Sequence, residues 1–422
     1  MKHRREQQRQ PGRISRTATT TAALVLLTAC TASTPGQQMA PVDRVLQQGV
    51  RPEATDALLR STFRLGAAMT TVPASNQVTS PLGALYAVSM LRAGAGTTTA
   101  AEMDAVLGLP AEHHEAMNAL LARVQYFDGD PGSVDEEDPP GKPVLHLANA
   151  VFVPEGGTTG EGYLETLARH YGAGVHPVDF ADPSTPARID DWVSAETGGR
   201  ITKAPIEVGA GTTLSLLNTV YFAAAWDEPF DPSGTVDQDF VLADGSSVDV
   251  PMMHGTRTVR HVQAAGWTGI DLPYGEGFSM RLILPAEGSP PEWTGQELLD
   301  MALLFDAAED VRVDLALPTW DHAFEQDLLG PLTAIGLEES FGPDPDFRRI
   351  QPGSFVAGAA QAANITVAEK GTIAAAVTQL TMMASAPAPP ELSVTFDRPF
   401  GYQIIHEDTG LPLFLGTVAD PR

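Results

Sequence analysis

Cysteine is nearly missing from this sequence, with one residue, Cys30, in 422. An exported chain with a single cysteine closes no internal disulfide, so its stability has to come from packing. Positive charge is also scarce. Lys and Arg total 26 against 53 Asp and Glu, a formal charge of −27, and lysine occurs only at positions 2, 142, 203 and 370. Such an acidic surface argues against nucleic acid and anionic headgroups as partners. Catalytic signatures are missing as well. No G-x-S-x-G turn, S-x-x-K or H-E-x-x-H occurs, which leaves no recognisable nucleophile or zinc site. The adjacent His113 and His114 lack the i, i+4 spacing of helical metal ligands and read as solvated first-turn residues. The acidic run 128–143 lacks the alternating carboxylates and closing Glu of a calcium loop and reads as a flexible surface loop.

A long apolar run is lacking too. The short one that follows the basic N-terminus (Lys2, Arg4, Arg5, Arg13, Arg16) ends in Leu27-Thr28-Ala29-Cys30 and is too short for a membrane span, so residues 1–29 read as an export signal. The last four residues resemble a bacterial lipobox. On that resemblance Cys30 is lipidated and anchors the chain to the outer face of the cytoplasmic membrane; the alternative is an ordinary secretory signal with an incidental Cys30. Residues 30–52, rich in Gln, Pro and Thr, read as a flexible tether, and 53–422 as one domain.

What is present is 43% hydrophobic sequence, enough for a large core. Apolar residues recur at helical spacing over 54–71 and 81–109, broken by the Gly94–Gly96 turn, and a further helix starts at His113. Thr97 to Thr99 followed by Glu102 suggests a capping box. From Val144 strand-like runs dominate: VLHLANAVFV, TLSLLNTVYFAAAW, RLILP and VRVDLALP, with a helical ARIDDWVSAETGGR between the first two. Helices first and strands later, without regular alternation, predict an α+β domain with a mainly helical N-terminal third.

One more absence stands out. From Gly371 to Pro390 there is no charged side chain. In a strand, Thr372, Ala374, Ala376, Thr378, Leu380 and Met382 would share one face, beginning small and growing larger, with Ile373, Ala375, Val377, Gln379, Thr381 and Met383 on the other. Such a row could slide between two strands without obstruction until Pro387. It could equally be an ordinary buried strand.

The remainder of the chain resembles the serpin family in ordered blocks. They include Asn76 with Ser80-Pro81, Asn149-Ala150, Trp192 with Thr197–Ile201, Leu217–Phe222 with Trp226 and Phe230, Leu272–Tyr274, and Phe396–Phe400 with Leu413–Val418. The resemblance implies a serpin fold with a large central mixed sheet, smaller sheets and an exposed reactive-centre loop. It implies a suicide inhibitor of serine proteases, monomeric and without a cofactor, rather than an enzyme, with a non-inhibitory binding protein as the alternative. Glu369, Lys370, Gly371 and Thr372 would open the loop hinge, and Ala374, Ala375 and Ala376 would permit insertion. Counting along the loop places the scissile bond at Ser385–Ala386, with Met383–Ala384 and Ala384–Ser385 as alternatives. Small or Met bait residues suit an elastase-like or subtilisin-like target. Three departures from the family pattern occur: Ile373 for a hinge Glu, Gly83 for a Ser near Ser80, and Gln361 for a His expected to bond Asn218 where the sheet opens.

Overall fold

The alternation of the strand-like runs and the helical spacing of the N-terminal third are both realised in the computed structural model, which describes residues 36–45, 51–70, 75–135, 138–287, 292–372 and 389–422. The helices are α1 (Pro52–Met69), α2 (Pro81–Gly94), α3 (Thr97–Leu107), α4 (His113–Val124), α5 (Glu161–Thr166), α6 (Thr185–Glu196), α7 (Gly295–Asp306) and α8 (Leu329–Ala334). The first strands are β1 (Gln77–Thr79), β2 (Val144–Pro154), β3 (Val175–Val178), β4 (Ser215–Ala225) and β5 (Val236–Val241). There follow β6 (Ser247–Ala264), β7 (Trp267–Pro273), β8 (Phe278–Pro285), β9 (Asp310–Pro318) and β10 (Trp320–Asp327). The last are β11 (Gly358–Ala368), β12 (Gly371–Thr372), β13 (Leu392–Thr395), β14 (Phe400–His406) and β15 (Leu411–Val418).

Two sheets result. One has six strands in the order β10-β11-β12-β4-β2-β3 and is mixed. The other strands, expected as separate smaller sheets, join in one nine-stranded network. The cause is β6, 18 residues long, whose first part pairs with β5, its middle with β9 and its end with β7.

Between the sheets lies α2, packed on β15 of one and on β2 and β4 of the other. Its start is written locally: Ser80 Oγ accepts the Gly83 N–H at 3.1 Å, and Pro81 occupies the first turn, where a missing N–H costs nothing. Leu82, Leu85, Val88 and Leu91 are fully buried. Asn76 ties this region to the C-terminus, its Oδ1 accepting from the amides of Ala419 and Asp420 at 2.8 and 2.9 Å.

Three expectations fail for reasons that sequence spacing does not carry. The Thr97–Glu102 capping box does not form: α3 has no side-chain cap, Thr98 and Thr99 donate to Glu339, and Glu102 accepts from the amides of Glu339 and Ser340. His113 is buried, and His114 Nδ1 lies 2.7 Å from the Tyr171 hydroxyl, where burial pushes its pKa down to about 3. Tertiary packing has claimed the solvent face of that helix turn. The acidic run is anchored rather than free, because Val134 packs on Tyr221 and Ala223 and the Pro140 carbonyl accepts the Ala225 N–H at 3.0 Å. Within the expected tether, Gln38 forms a two-way backbone bridge with Val175 on the edge strand β3. Backbone pairing of that kind leaves no trace in composition.

Candidate functional site

The chain's most unusual geometry lies where β11 turns back on itself. β11 and β4 run parallel and pair directly from Gly358↔Ser215 to Ala363↔Val220. Past that point they part. After β11 the chain reverses at Glu369-Lys370 and comes back between the two strands as β12, antiparallel to both. Thr372 faces Val367 on one side and Ala224 on the other. The residue offset between β11 and β4 across β12 equals that of the directly bonded Gln361–Asn218 pair, 143. The slot has therefore opened without any sliding of its walls.

Residue type makes this possible. A Cβ on Gly371 would sit 2.1 Å from the Ala224 carbonyl oxygen, so only glycine can pass there. Below the slot, where β11 still pairs directly with β4, the β11 residues are small as well: Ala359, Ala360, Ala362 and Ala363 are all buried.

A clamp of side chains holds the returning chain. Thr372 and Tyr274 share a buried hydroxyl–hydroxyl hydrogen bond, and the Tyr274 ring stacks on Trp226 at 4.2 Å. Burial pushes the Tyr274 phenol well up, so it stays a neutral hydrogen-bonding group. The Trp226 amide donates to the Lys370 carbonyl at 2.8 Å, and its indole Nε1 donates to the Ala368 carbonyl at 2.9 Å. Phe230 N–H reaches the Glu369 carbonyl at 2.7 Å, and Thr235 Oγ1 bonds the Glu369 carboxylate at 2.8 Å. Lys370 is buried, with Nζ 3.4 Å from Asp138 Oδ1.

Below the slot a second polar cluster joins the strands that still pair directly. Gln361 Nε2 donates to Asn218 Oδ1 at 2.6 Å and to the Ser80 carbonyl at 2.9 Å. Its Oε1 accepts the Ser80 N–H and the Thr79 hydroxyl, each at 2.6 Å. Asn218 continues to Asn149 Oδ1 on β2 at 3.0 Å. Ser80, Asn218 and Gln361 are at most 2% exposed, so every one of these bonds operates in a dry interior, where an unmade bond is costly. The Gly83 departure has a reason here: a Cβ at that position would lie 2.4 Å from Asn218 Oδ1.

The expected site residues thus fall in two groups. Glu369 to Thr372 form the return, and Ser80, Asn218 and Gln361 form the lock beneath it. Ala374, Ala375, Ala376, Met383, Ala384, Ser385, Ala386 and Cys30 lie outside the described residues. The chain is described again from Pro389, and β13 then pairs parallel to β9 in the other sheet. Sequence reasoning gave no role to Trp226, Phe230, Thr235 and Tyr274, whose contacts to the return span 98 residues or more. Among the described residues no three His, Cys, Asp or Glu side chains are grouped as metal ligands.

Two residues of returning chain seated between two parallel strands of their own sheet set this fold apart. Comparison with known proteins identifies the family. Residues 59–421 match the family described as Serpin (serine protease inhibitor). The chain is 31% identical over 389 residues to a serpin-like protein of Thermococcus kodakarensis, covering 90% of this chain and 88% of that one. It is 30% identical over 366 residues to plasminogen activator inhibitor 1 of Neovison vison, covering 82% and 87%. Among solved structures, native tengpin, a thermophilic serpin, superposes with a TM-score of 0.81 at 24% identity, covering 91% of this chain and 99% of that one. The chain belongs to the serpin family.

Proposed function

We propose that this serpin is a suicide-substrate inhibitor of serine proteases, exported and tethered by a lipid on Cys30. The target's serine Oγ attacks the Ser385 carbonyl, the bond to Ala386 breaks, and an ester joins the protease to the severed segment. That segment then fills the slot, and the protease, carried with it, loses the geometry needed to release the ester.

The observation that carries this reading is β12 itself, two residues of inserted strand already seated between β4 and β11. Continued in the same register, Ile373 comes beside Thr366 and Ala223, and Leu380 comes beside Ala359 and Leu216. Residues directly opposite one another share a face. Ala359 and Leu216 belong to the main core, so Leu380 enters the core, stabilising the product by roughly 1.5–3 kcal/mol. In that register the other set, led by Ile373, would lie on the face of the sheet that carries α6, so a hinge Glu is not required there. The absence of any basic residue from Gly371 to Pro390 favours elastase-like and subtilisin-like targets over trypsin-like ones.

Mixing the mature chain with subtilisin or elastase and running a denaturing gel tests the reading. A covalent band at the summed mass is expected with these proteases and not with trypsin. Complete cleavage without that band, for every protease tried, would contradict it.

A further inference from the structure

Two adjacent leucines of α7 stand in water. Leu303 and Leu304 are 61% and 46% exposed, on a helix whose Leu298, Met301, Ala302 and Phe305 are buried. A single exposed leucine is ordinary, but an apolar pair at the mouth of a cleft marks a surface that a partner covers.

The cleft lies between α7 and the turn that joins β6 to β7. Its volume is about 320 Å³, at the lower end of the range for sites that take a ligand group. Glu297, Asp300 and Leu304 form the α7 wall, since residues three and four apart share one side of a helix. Trp267 and Trp293 form the aromatic walls. Both indoles are backed by the core. The Trp267 ring stacks on Phe305 at 6.1 Å, and Trp293 covers Gly401 on β14, where a Cβ would come within 2.3 Å of its ring. The opposite flank of α7 is closed against α1, where Leu298 and Phe63 share a core.

Charge in the cleft is of one sign. Glu292, Glu297 and Asp300 line it, and no described Lys, Arg or His does. Glu297 Oε2 accepts from the Thr294 amide and hydroxyl, bonds that hold its pKa below the ordinary carboxylate value and keep it charged. Asp300 Oδ1 accepts from Gln296 Nε2 at 2.8 Å. Glu297 Oε1 and Asp300 Oδ2 have no bonded partner among the described residues. Arg398 reaches the Pro285 carbonyl at one end of the cleft at 3.1 Å, but its charge is already paired with Asp397.

We propose that this cleft docks a basic segment of a partner protein, an arginine of that segment stacking on the tryptophans and pairing with Glu297 and Asp300. A guanidinium suits both walls, because it stacks on aromatic faces and bonds carboxylates at the same time. An apolar side chain beside that arginine covers Leu303 and Leu304, which a small free amine would leave in water. A second copy of this chain does not fit, since it would bring its own formal charge of −27 against an acidic face. None of the walls belongs to the return or to the lock beneath it, so the site is separate from the inhibitor reading.

Intrinsic fluorescence reads this cleft, because Trp192, Trp226 and Trp320 are buried while Trp267 and Trp293 are only half-buried. The probes are three short synthetic peptides without tryptophan, in which Leu alternates with Arg, with Ser or with Glu, titrated into the full chain. The Arg peptide is expected to shift the emission saturably, the Ser peptide to bind at least about tenfold more weakly, and the Glu peptide not to bind. Asp300→Lys and Leu304→Ser should each weaken the Arg peptide by about tenfold or more with the melting temperature unchanged. Asp237→Lys, an exposed change on β5 and outside the cleft, should leave it as tight as in the parent. If Asp237→Lys weakens the Arg peptide as much as Asp300→Lys does, the peptide answers to net charge alone and the site is disproved. No saturable shift with the Arg peptide up to about 1 mM would also overturn the proposal. Either result leaves the inhibitor reading standing, and a chain nicked in its loop should bind the Arg peptide as the intact one does.

Discussion

Thr372→Arg is expected to leave a chain that subtilisin cuts without being trapped, where the parent is expected to trap it. Thr372 is 1% exposed, sits between two strands and bonds to Tyr274. An arginine there has no carboxylate to meet, and an unpaired buried guanidinium costs several kcal/mol. The intact fold is expected to survive the change with the return displaced from the slot, which its melting temperature checks. During inhibition the return has nowhere else to go. A barrier raised by ~3–4 kcal/mol slows insertion on the order of 10²- to 10³-fold, and hydrolysis of the ester then wins. Titrating subtilisin should show the number of inhibitor molecules consumed per protease rising from near one to tens or more. Thr372→Ser, which keeps the hydroxyl, should remain an inhibitor. A Thr372→Arg chain that still traps the protease one for one would rule out insertion at this position.

The second large effect is expected at the lock. Gln361→Ala removes the partner of the Thr79 hydroxyl, the Ser80 N–H and Asn218 Oδ1, all in the buried interior. The Ser80 carbonyl keeps its bond to the Ala84 amide. Three orphaned groups at ~1–3 kcal/mol each, taken as less than additive, suggest a loss of ~3–5 kcal/mol. Calorimetry should show the native melting temperature falling by roughly 10 °C. Because the lost bonds hold β4 to β11, uncut chains should also drift on warming into a form that no longer traps protease. Gln361→Glu separates hydrogen bonding from volume. It has the same shape but is either a costly buried charge or, protonated, a donor to only one of Asn218 Oδ1 and the Ser80 carbonyl, so it should also be destabilised. A Glu variant as stable as the parent would show that packing, and not the bonds, holds the slot shut.

Much of this site can be read in the sequence, because its logic is local. A run without charge, small residues on one face and prolines at its end mark a segment able to slide between strands, and Glu369–Thr372 is where the structure puts the return. Ser80 and Pro81 state the start of α2 in two residues. What could not be read is whatever depends on partners far along the chain. Tyr274 and Trp226 clamp the return from 98 and 142 residues away, and nothing near them in sequence signals that role. Gly83 is a departure from the family pattern until Asn218 is seen to occupy the space a Cβ would need. His113 and His114 obey every rule for a solvated helix start, yet Tyr171 covers His114. The nine-stranded network follows from the length of β6 and its three pairings, which periodicity does not encode. The fold class was thus legible, whereas the side chains that hold the return at Glu369–Thr372 were not.

The intact state is expected to hold back a more stable one. Thermal unfolding of the chain before and after a single subtilisin nick measures this directly. About ten new ladder bonds at ~1 kcal/mol each, with Leu380 and Met382 buried, should raise the melting temperature on the order of 20 °C. Hydrogen exchange should show new protection over residues 373–383. Equal melting temperatures, with those amides still exchanging freely, would contradict it.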